Sequence, residues 1–188
     1  MRQNEKDDEK RLIARAKEGD MQAFERLVRK YQQSIYYLCR RMTSAHQSAD
    51  DLSQETFIKA YLSLSRFKDE MNFSSWLRRI AVNNSLNYLK FRRREELLGE
   101  RENTIAGNAS STLQELPEET LLRNRLEQKF RKALDALPAD QKTVFILRFY
   151  ENLSYKDIAQ ALNLPDGTVM SRLNRARKKL RSLMADHR

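Results

Sequence analysis

Apolar residues in the first half of the chain recur at spacings of three and four positions, which is the spacing of one face of an α-helix. The longest such run contains Phe24, Leu27, Val28, Tyr31, Ile35, Leu38, Cys39 and Met42. We predict that Gly19 and Asp20 cap the start of this helix. A second helix is expected from about Ser48, also a capping residue, and a third from about residues 72–75 to Arg94.

The pattern changes after residue 95. Residues 95–120 carry seven acidic residues and one basic residue, a net charge of −6, and their middle is rich in Gly, Asn, Ser and Thr. This composition is typical of an exposed linker. Helical periodicity resumes with Leu122, Leu126, Phe130, Ala133, Leu134 and Leu137. Pro138 is expected to end that helix and Asp140 to cap the next one.

No strand-like alternation of apolar and polar residues occurs anywhere in the sequence. We therefore predict an all-α fold with two small helical domains, at residues 1–95 and 120–188, joined by a flexible acidic linker at residues 96–119.

The C-terminal region has the pattern of a helix-turn-helix. Ser154 and Asp157 form a capping signature before a short apolar helix. A turn-like segment at residues 163–167 follows, and Thr168 is expected to cap a longer basic helix.

A turn of about 100° per residue places the side chains of that longer helix on two opposite faces. The apolar stripe, predicted to pack on the preceding helix, contains Val169, Leu173, Ala176 and Leu180. The opposite face contains Ser171, Asn174, Arg175 and Lys178, with Arg172 and Lys179 on one flank and Arg177 on the other. Residues 168–185 hold six basic residues and no acidic one. This bias favours contact with DNA over a solvated surface helix, which usually mixes charge signs.

The remaining composition narrows the possible partners. The net charge of +10 indicates a polyanion, either nucleic acid or an acidic membrane surface. The single cysteine, Cys39, fits a buried residue in a reducing cytosol.

No 18-residue apolar run is present, and the charged start MRQNEKDDEK is unlike a signal peptide, so we expect no membrane insertion. His46, Asp50, Asp51 and Glu55 crowd one helix start, but without a second nearby histidine we predict no metal, cofactor or catalytic site.

The helix from Ser48 has an unusual outer face. Its predicted buried face contains Ala49, Leu52, Thr56, Phe57, Ala60 and Leu64. Its other face places Asp51, Gln54 and Glu55 beside Ile58 and Leu62. Such a mixture of acidic and apolar groups indicates a protein partner with basic residues. The alternative is that Ile58 and Leu62 pack on another helix of the same domain.

The third helix combines cations with aromatic rings. Its predicted inner face contains Leu77, Ile80, Ala81, Asn84 and Tyr88, and its outer stripe contains Arg79, Asn83, Leu86 and Lys90. Phe73 and Trp76 lie at its entrance. Aromatic rings beside a cationic stripe are typical of single-stranded DNA binding. The alternative for Phe73 and Trp76 is core packing.

These blocks resemble the extracytoplasmic-function (ECF) sigma factors of bacterial RNA polymerase. The region-4 domain of that family is similar to LPADQKTVFILRFYENLSYKDIAQALNLPDGTVMSRLNRARKKL. The region-2.2 helix, which docks on the clamp helices of the β′ subunit, is similar to DDLSQETFIKAY, and regions 2.3 and 2.4 are similar to residues 65–94. By this resemblance Asp51, Gln54 and Glu55 would contact the polymerase.

The resemblance also implies two contacts with promoter DNA. The helix-turn-helix would read the −35 element as duplex, through residues Met170, Ser171, Arg172, Asn174, Arg175, Arg177, Lys178 and Lys179. Met170 departs from the arginine that many family members carry there. A loop at residues 66–75 would capture a flipped base of the single-stranded −10 element. Asn83 would help to read that base, and Arg79 would meet the DNA backbone.

The function implied is a transcription initiation factor rather than an enzyme, acting on a specific, stress-related set of genes. Its partners would be core RNA polymerase, through the β′ clamp helices and the β flap, promoter DNA and an anti-sigma factor. The location would be cytoplasmic, at the nucleoid when the protein is bound to polymerase, or at the membrane when the anti-sigma factor holds it there. Two other classes stay open from the residues alone: a dimeric helix-turn-helix repressor or activator, and a helical enzyme using the cluster from His46 to Glu55.

Overall fold

The computed structural model describes residues 2–69, 71–97 and 118–185, and these residues form helices, turns and short connections. The helices are α1 (Arg2–Lys17), α2 (Met21–Thr43), α3 (His46–Ser63), α4 (Phe73–Leu97), α5 (Glu118–Asp135), α6 (Ala139–Phe149), α7 (Tyr155–Leu162) and α8 (Asp166–Ala185), with a 3-10 turn at Leu64–Arg66 after α3. The all-α prediction is confirmed. The chain divides into two compact units, Met1–Lys90 and Phe91–Arg188. The predicted boundaries stay a prediction, because residues 98–117 of the linker lie outside the described residues.

In the first unit, α2 packs against α1 and α3. The apolar face of α2 is buried largely as its spacing predicts, including Cys39 at 0% exposure. The Asp20 carboxylate accepts a hydrogen bond of 3.0 Å from the Ala23 amide, which confirms the predicted cap. Helix α1 was not predicted. Among its residues 7–17, Ile13 and Ala16 are the buried ones, within a mostly charged sequence.

The start of α3 differs from the prediction. The helix begins at His46, with Ala45 at the capping position and no side-chain cap. Ser48 is therefore not an N-cap, and its hydroxyl instead shares a hydrogen bond of 2.6 Å with the hydroxyl of Tyr88 in α4. Phe57 is half-buried, whereas the other residues of the predicted buried face are buried as expected: Ala49, Leu52, Thr56, Ala60 and Leu64.

In the second unit, α8 packs against α5, α6 and α7. All four residues of its predicted apolar stripe are buried. The capping box at the start of α7 is confirmed, since the Ser154 hydroxyl accepts from the Asp157 amide at 3.1 Å and Asp157 accepts from the Ser154 amide.

Two predicted caps in this unit are wrong. Asp140 lies inside the first turn of α6, because Pro138 occupies the position before the helix. Thr168 lies inside the first turn of α8, which begins at Asp166. The left-handed residue of the connecting turn is Asn163, at φ 53°, whereas Gly167 lies within α8. Among the described residues, no helix is long and apolar enough to cross a membrane.

Candidate polymerase and nucleic-acid interfaces

The outer face of α3 carries an apolar stripe in solvent. Ile58 is 60% exposed and Leu62 75% exposed, and Tyr61 beside them is 36% exposed. The alternative that Ile58 and Leu62 pack within their own domain is therefore wrong. Asp51 and Gln54 are exposed on the same helix and Glu55 is half-buried. Exposed apolar side chains beside carboxylates are the surface that a basic, partly apolar protein partner would cover.

A polar network joins this helix to α4. The Lys59 ammonium lies 2.6 Å from the Glu55 carboxylate and donates a hydrogen bond of 2.7 Å to the Asn84 amide oxygen. The Asn84 amide nitrogen donates to the Thr56 hydroxyl at 3.3 Å, and that hydroxyl donates to the Leu52 carbonyl at 2.7 Å. Because Asn84 and Thr56 are buried, these bonds satisfy polar groups that would otherwise be costly in the core. The network fixes α4 relative to α3.

The predicted cationic stripe lies on the solvent side of α4. Arg79, Asn83 and Lys90 are exposed, and Leu86 is half-buried. Successive members are three or four residues apart, so they share one face of the helix. The structure thus brings these residues together along one exposed line.

The aromatic residues at the start of α4 form a cluster. The Phe73 ring centre lies 5.5 Å from that of Phe67, 5.5 Å from that of Trp76 and 5.6 Å from that of Tyr31. Phe73 is only 3% exposed, whereas Trp76 is half-buried. The prediction that Phe73 offers a ring face to DNA is wrong, because neighbouring rings already enclose it. Trp76 retains some exposed surface.

The basic residues of α8 differ in their surroundings. Arg172 lies 3.3 Å from the Asp140 carboxylate in α6, and the Arg177 guanidinium lies 5.1 Å from the centre of the Phe149 ring. Five of the other predicted −35 residues are exposed: Ser171, Asn174, Arg175, Lys178 and Lys179. Met170 is 52% exposed at the edge of this face. The structure therefore places polar and cationic groups on one open surface and directs Arg177 toward α6.

The cluster from His46 to Glu55 has a different arrangement from a metal site. The Nδ1 atom of His46 lies 2.7 Å from the hydroxyl of Tyr36, and the two rings stack at 6.4 Å. Among the described residues, no group of three or more His, Cys, Asp or Glu side chains is placed to hold a metal ion.

Burial raises the pKa of the Cys39 thiol to about 11, so this thiol is protonated at neutral pH. Burial, and then a hydrogen bond to Glu9, raise the pKa of the Tyr31 phenol far above its ordinary value.

The sequence and fold match known proteins over most of the chain. Residues 27–95 match the family described as Sigma-70 region 2, and residues 127–180 match the family described as Sigma-70, region 4. The chain is 38% identical over 176 residues to the RNA polymerase sigma-H factor of Pseudomonas aeruginosa, covering 92% of this chain and 91% of that protein. It is 40% identical over 174 residues to the ECF RNA polymerase sigma-E factor of Haemophilus influenzae, covering 90% and 91%.

Two solved structures have a similar fold. One is the sigma factor RpoE in complex with the anti-sigma factor NepR from Bartonella quintana, with a TM-score of 0.66, 28% identity and coverage of 88% of this chain and 98% of that chain. The other is CnrH in complex with the cytosolic domain of CnrY, with a TM-score of 0.68, 25% identity and coverage of 96% and 99%.

Two helical units, the second a helix-turn-helix with a basic outer face, define a DNA-binding transcription factor. The two family matches and the curated relatives make the class specific: the chain belongs to the ECF sigma factors of bacterial RNA polymerase. It is therefore a transcription initiation factor that acts with core RNA polymerase at promoters. This membership replaces the interpretation as a stand-alone repressor or activator.

Proposed function

We propose that the outer face of α3 docks on the β′ clamp helices of core polymerase through Asp51, Gln54, Glu55, Ile58 and Leu62. The observation that carries this proposal is the exposure of Ile58 and Leu62 beside carboxylates. Fully burying an aliphatic side chain of this size is worth about 1.5–3 kcal/mol. The carboxylates would add orientation and a faster encounter with a basic partner.

Charge reversal tests this docking surface. Asp51→Arg together with Glu55→Arg is expected to abolish binding to core polymerase while leaving the helical circular dichroism spectrum unchanged. The control is Glu25→Arg in α2, because Glu25 also pairs with a residue four positions on, Arg29, at 2.7 Å. Core affinity that stays at the wild-type value in the double variant would refute the docking surface.

The exposed stripe of α4 is the proposed contact with the single-stranded −10 element. Arg79 and Lys90 would neutralise backbone phosphates, and Asn83 would hydrogen-bond a flipped base. The exposed part of Trp76 offers a surface for a base to stack on. Phe73 is left out of this contact because it supports Trp76 from within the core.

The open face of α8 is the proposed reader of the −35 duplex. Ser171, Asn174 and Arg175 would face base edges, while Arg172, Lys178 and Lys179 would lie nearer phosphates. Met170 has no hydrogen-bond donor, so at that position it can offer only apolar contact to a base, such as a thymine methyl group.

A second polymerase contact is proposed at the end of α6. Phe149 is 44% exposed and Tyr150 39% exposed, and their exposed rings would supply an apolar contact to the β flap.

The similar folds of RpoE and CnrH were solved with an anti-sigma factor and with the cytosolic domain of CnrY. We propose that an anti-sigma factor binds this chain and holds it inactive in the cytoplasm.

Run-off transcription with purified core polymerase tests the function as a whole. A promoter-specific transcript is expected only when the chain is added. A chain that gives no transcript and leaves no footprint with core polymerase, yet protects DNA tightly alone, would contradict the proposal.

A further inference from the structure

Lys17, at the C-terminal end of α1, contacts the loop that precedes α4. Its ammonium lies 2.6 Å from the Asp69 carboxylate and 5.4 Å from the centre of the Phe67 ring. The Lys17 side chain is 22% exposed, whereas that of Asp69 is 79% exposed. Lys17 therefore spans 52 residues of sequence to hold a carboxylate that stands in solvent.

Two other contacts define the loop on either side of Asp69. Phe67 is 4% exposed and packs in the aromatic cluster with Trp76. On the far side, the Asn72 side chain accepts a hydrogen bond of 3.0 Å from the Ser75 amide at the start of α4. Asp69 lies between these fixed points, where Lys17 is its ion-pair partner.

This ion pair contributes little to the stability of the whole unit and acts locally, at the loop. An exposed pair contributes only about 0–1 kcal/mol to folding, so overall stability gives little reason for it. The position of the pair indicates a local role, because the loop leads directly into α4, whose exposed stripe is proposed to bind single-stranded DNA. A carboxylate without a counter-charge there would repel backbone phosphates.

We propose that Lys17 is a positioning residue for the −10 contact, which acts by neutralising the charge of Asp69 so that the DNA strand can approach the loop. Lys17 acts through Asp69 and does not itself contact the DNA or the polymerase. The inference rests on the proposed function of the loop at residues 66–75.

Promoter opening by the reconstituted holoenzyme tests the proposal. Lys17→Met keeps an apolar chain of similar length against Phe67 but exposes the charge of Asp69. Permanganate reactivity of unpaired −10 thymines is expected to appear about fivefold more slowly, which corresponds to about 1 kcal/mol of charge repulsion in water. Affinity for core polymerase should not change, and the defect should shrink with added salt because the repulsion is screened.

A second variant separates charge neutralisation from a purely structural role. Lys17→Met together with Asp69→Asn removes the carboxylate and should restore wild-type opening, although the ion pair is still missing. A role in holding the loop would leave this double variant as slow as Lys17→Met. The matched control is Lys30→Met, which removes a lysine that pairs with Glu9 between α1 and α2. That control should open the promoter at the wild-type rate.

The outcomes distinguish this inference from the function on which it rests. Wild-type holoenzyme should open a promoter more slowly when abasic sites replace bases of the non-template −10 strand. If it is insensitive to them, the proposed loop function fails and the role of Lys17 fails with it. If it is sensitive but Lys17→Met opens at the wild-type rate, or if the double variant stays slow, only the role of Lys17 is overturned.

Discussion

Replacing Phe73 by alanine distinguishes a core residue from a DNA contact. The ring is 3% exposed and packs against Tyr31, Phe67 and Trp76. Truncating an enclosed phenylalanine to alanine costs about 3–5 kcal/mol, through lost burial and the cavity left behind. A domain of this size is stabilised by only about 5–15 kcal/mol in total. The Phe73→Ala variant should therefore keep its fold with little margin.

Trp76 supplies the assay. It is the only tryptophan in the sequence, and its ring centre lies 5.5 Å from that of Phe73, so its fluorescence reports the unfolding of the first unit. With a urea dependence of about 2 kcal/mol per molar, the midpoint should fall by about 2 M. Phe149→Ala is the control, because Phe149 is a 44% exposed residue of the second unit. The Phe149→Ala variant should leave the urea midpoint that is measured by Trp76 fluorescence unchanged.

A different pair of results would place the Phe73 ring at the DNA. If Phe73→Ala loses less than about 1 kcal/mol of stability but weakens binding to single-stranded −10 DNA tenfold, the ring acts at the DNA and not in the core. The expected result is the reverse, with DNA binding retained in proportion to the fraction of folded protein.

Three further predictions concern other sites. Arg175→Ala should cost about 1–3 kcal/mol on the preferred −35 sequence and little on others, whereas Lys178→Ala should weaken binding to all sequences and reduce the salt slope by about 1, as measured by competition gel shifts. If Arg175→Ala instead weakens binding equally on all sequences, Arg175 contacts a phosphate and not a base. Ser154→Ala should destabilise the second unit by about 1 kcal/mol through loss of its cap, measured by circular dichroism at 222 nm with urea. Because Cys39 is 0% exposed and burial also raises its pKa, its thiol should react with a disulfide reagent at pH 8 only as fast as the protein opens. Rapid modification of the native protein would contradict that burial.

Local patterns in the sequence predicted the local structure well. The apolar stripe of α8 is buried as its spacing requires, and the caps at Asp20 and Ser154 form between residues three positions apart. These features depend on helical geometry and on neighbours within one turn. The wrong caps have local causes too. A proline before α6 moved its start ahead of Asp140, and α8 starts two residues before Thr168.

Contacts between distant residues were not predictable in the same way. Helical spacing places Phe73 and Trp76 near the start of α4, but only the packing of Tyr31 and Phe67 shows that Phe73 is enclosed and Trp76 is not. The pair between Lys17 and Asp69 joins an unpredicted helix to a loop 52 residues away. A charged sequence gives no signal for such a pair, because most of its lysines and carboxylates lie in solvent.

The basic residues of α8 fall into two groups, those that contact α6 and those that have no partner among the described residues. Arg172 already pairs with Asp140, and Arg177 lies over the ring of Phe149, so both connect α8 to α6 and would set the angle at which α8 meets the DNA in the proposed contact. Arg175 and Lys178 have no hydrogen-bond or ion-pair partner within the described part of the chain, so the proposed contacts with DNA would not require them to break one first. One such face holds few base-reading groups, and discrimination at each base is worth only about 1–3 kcal/mol. On the proposed assignment, selectivity for a promoter would come from the α4 stripe and the α8 face together, and core polymerase would hold both so that two modest affinities combine.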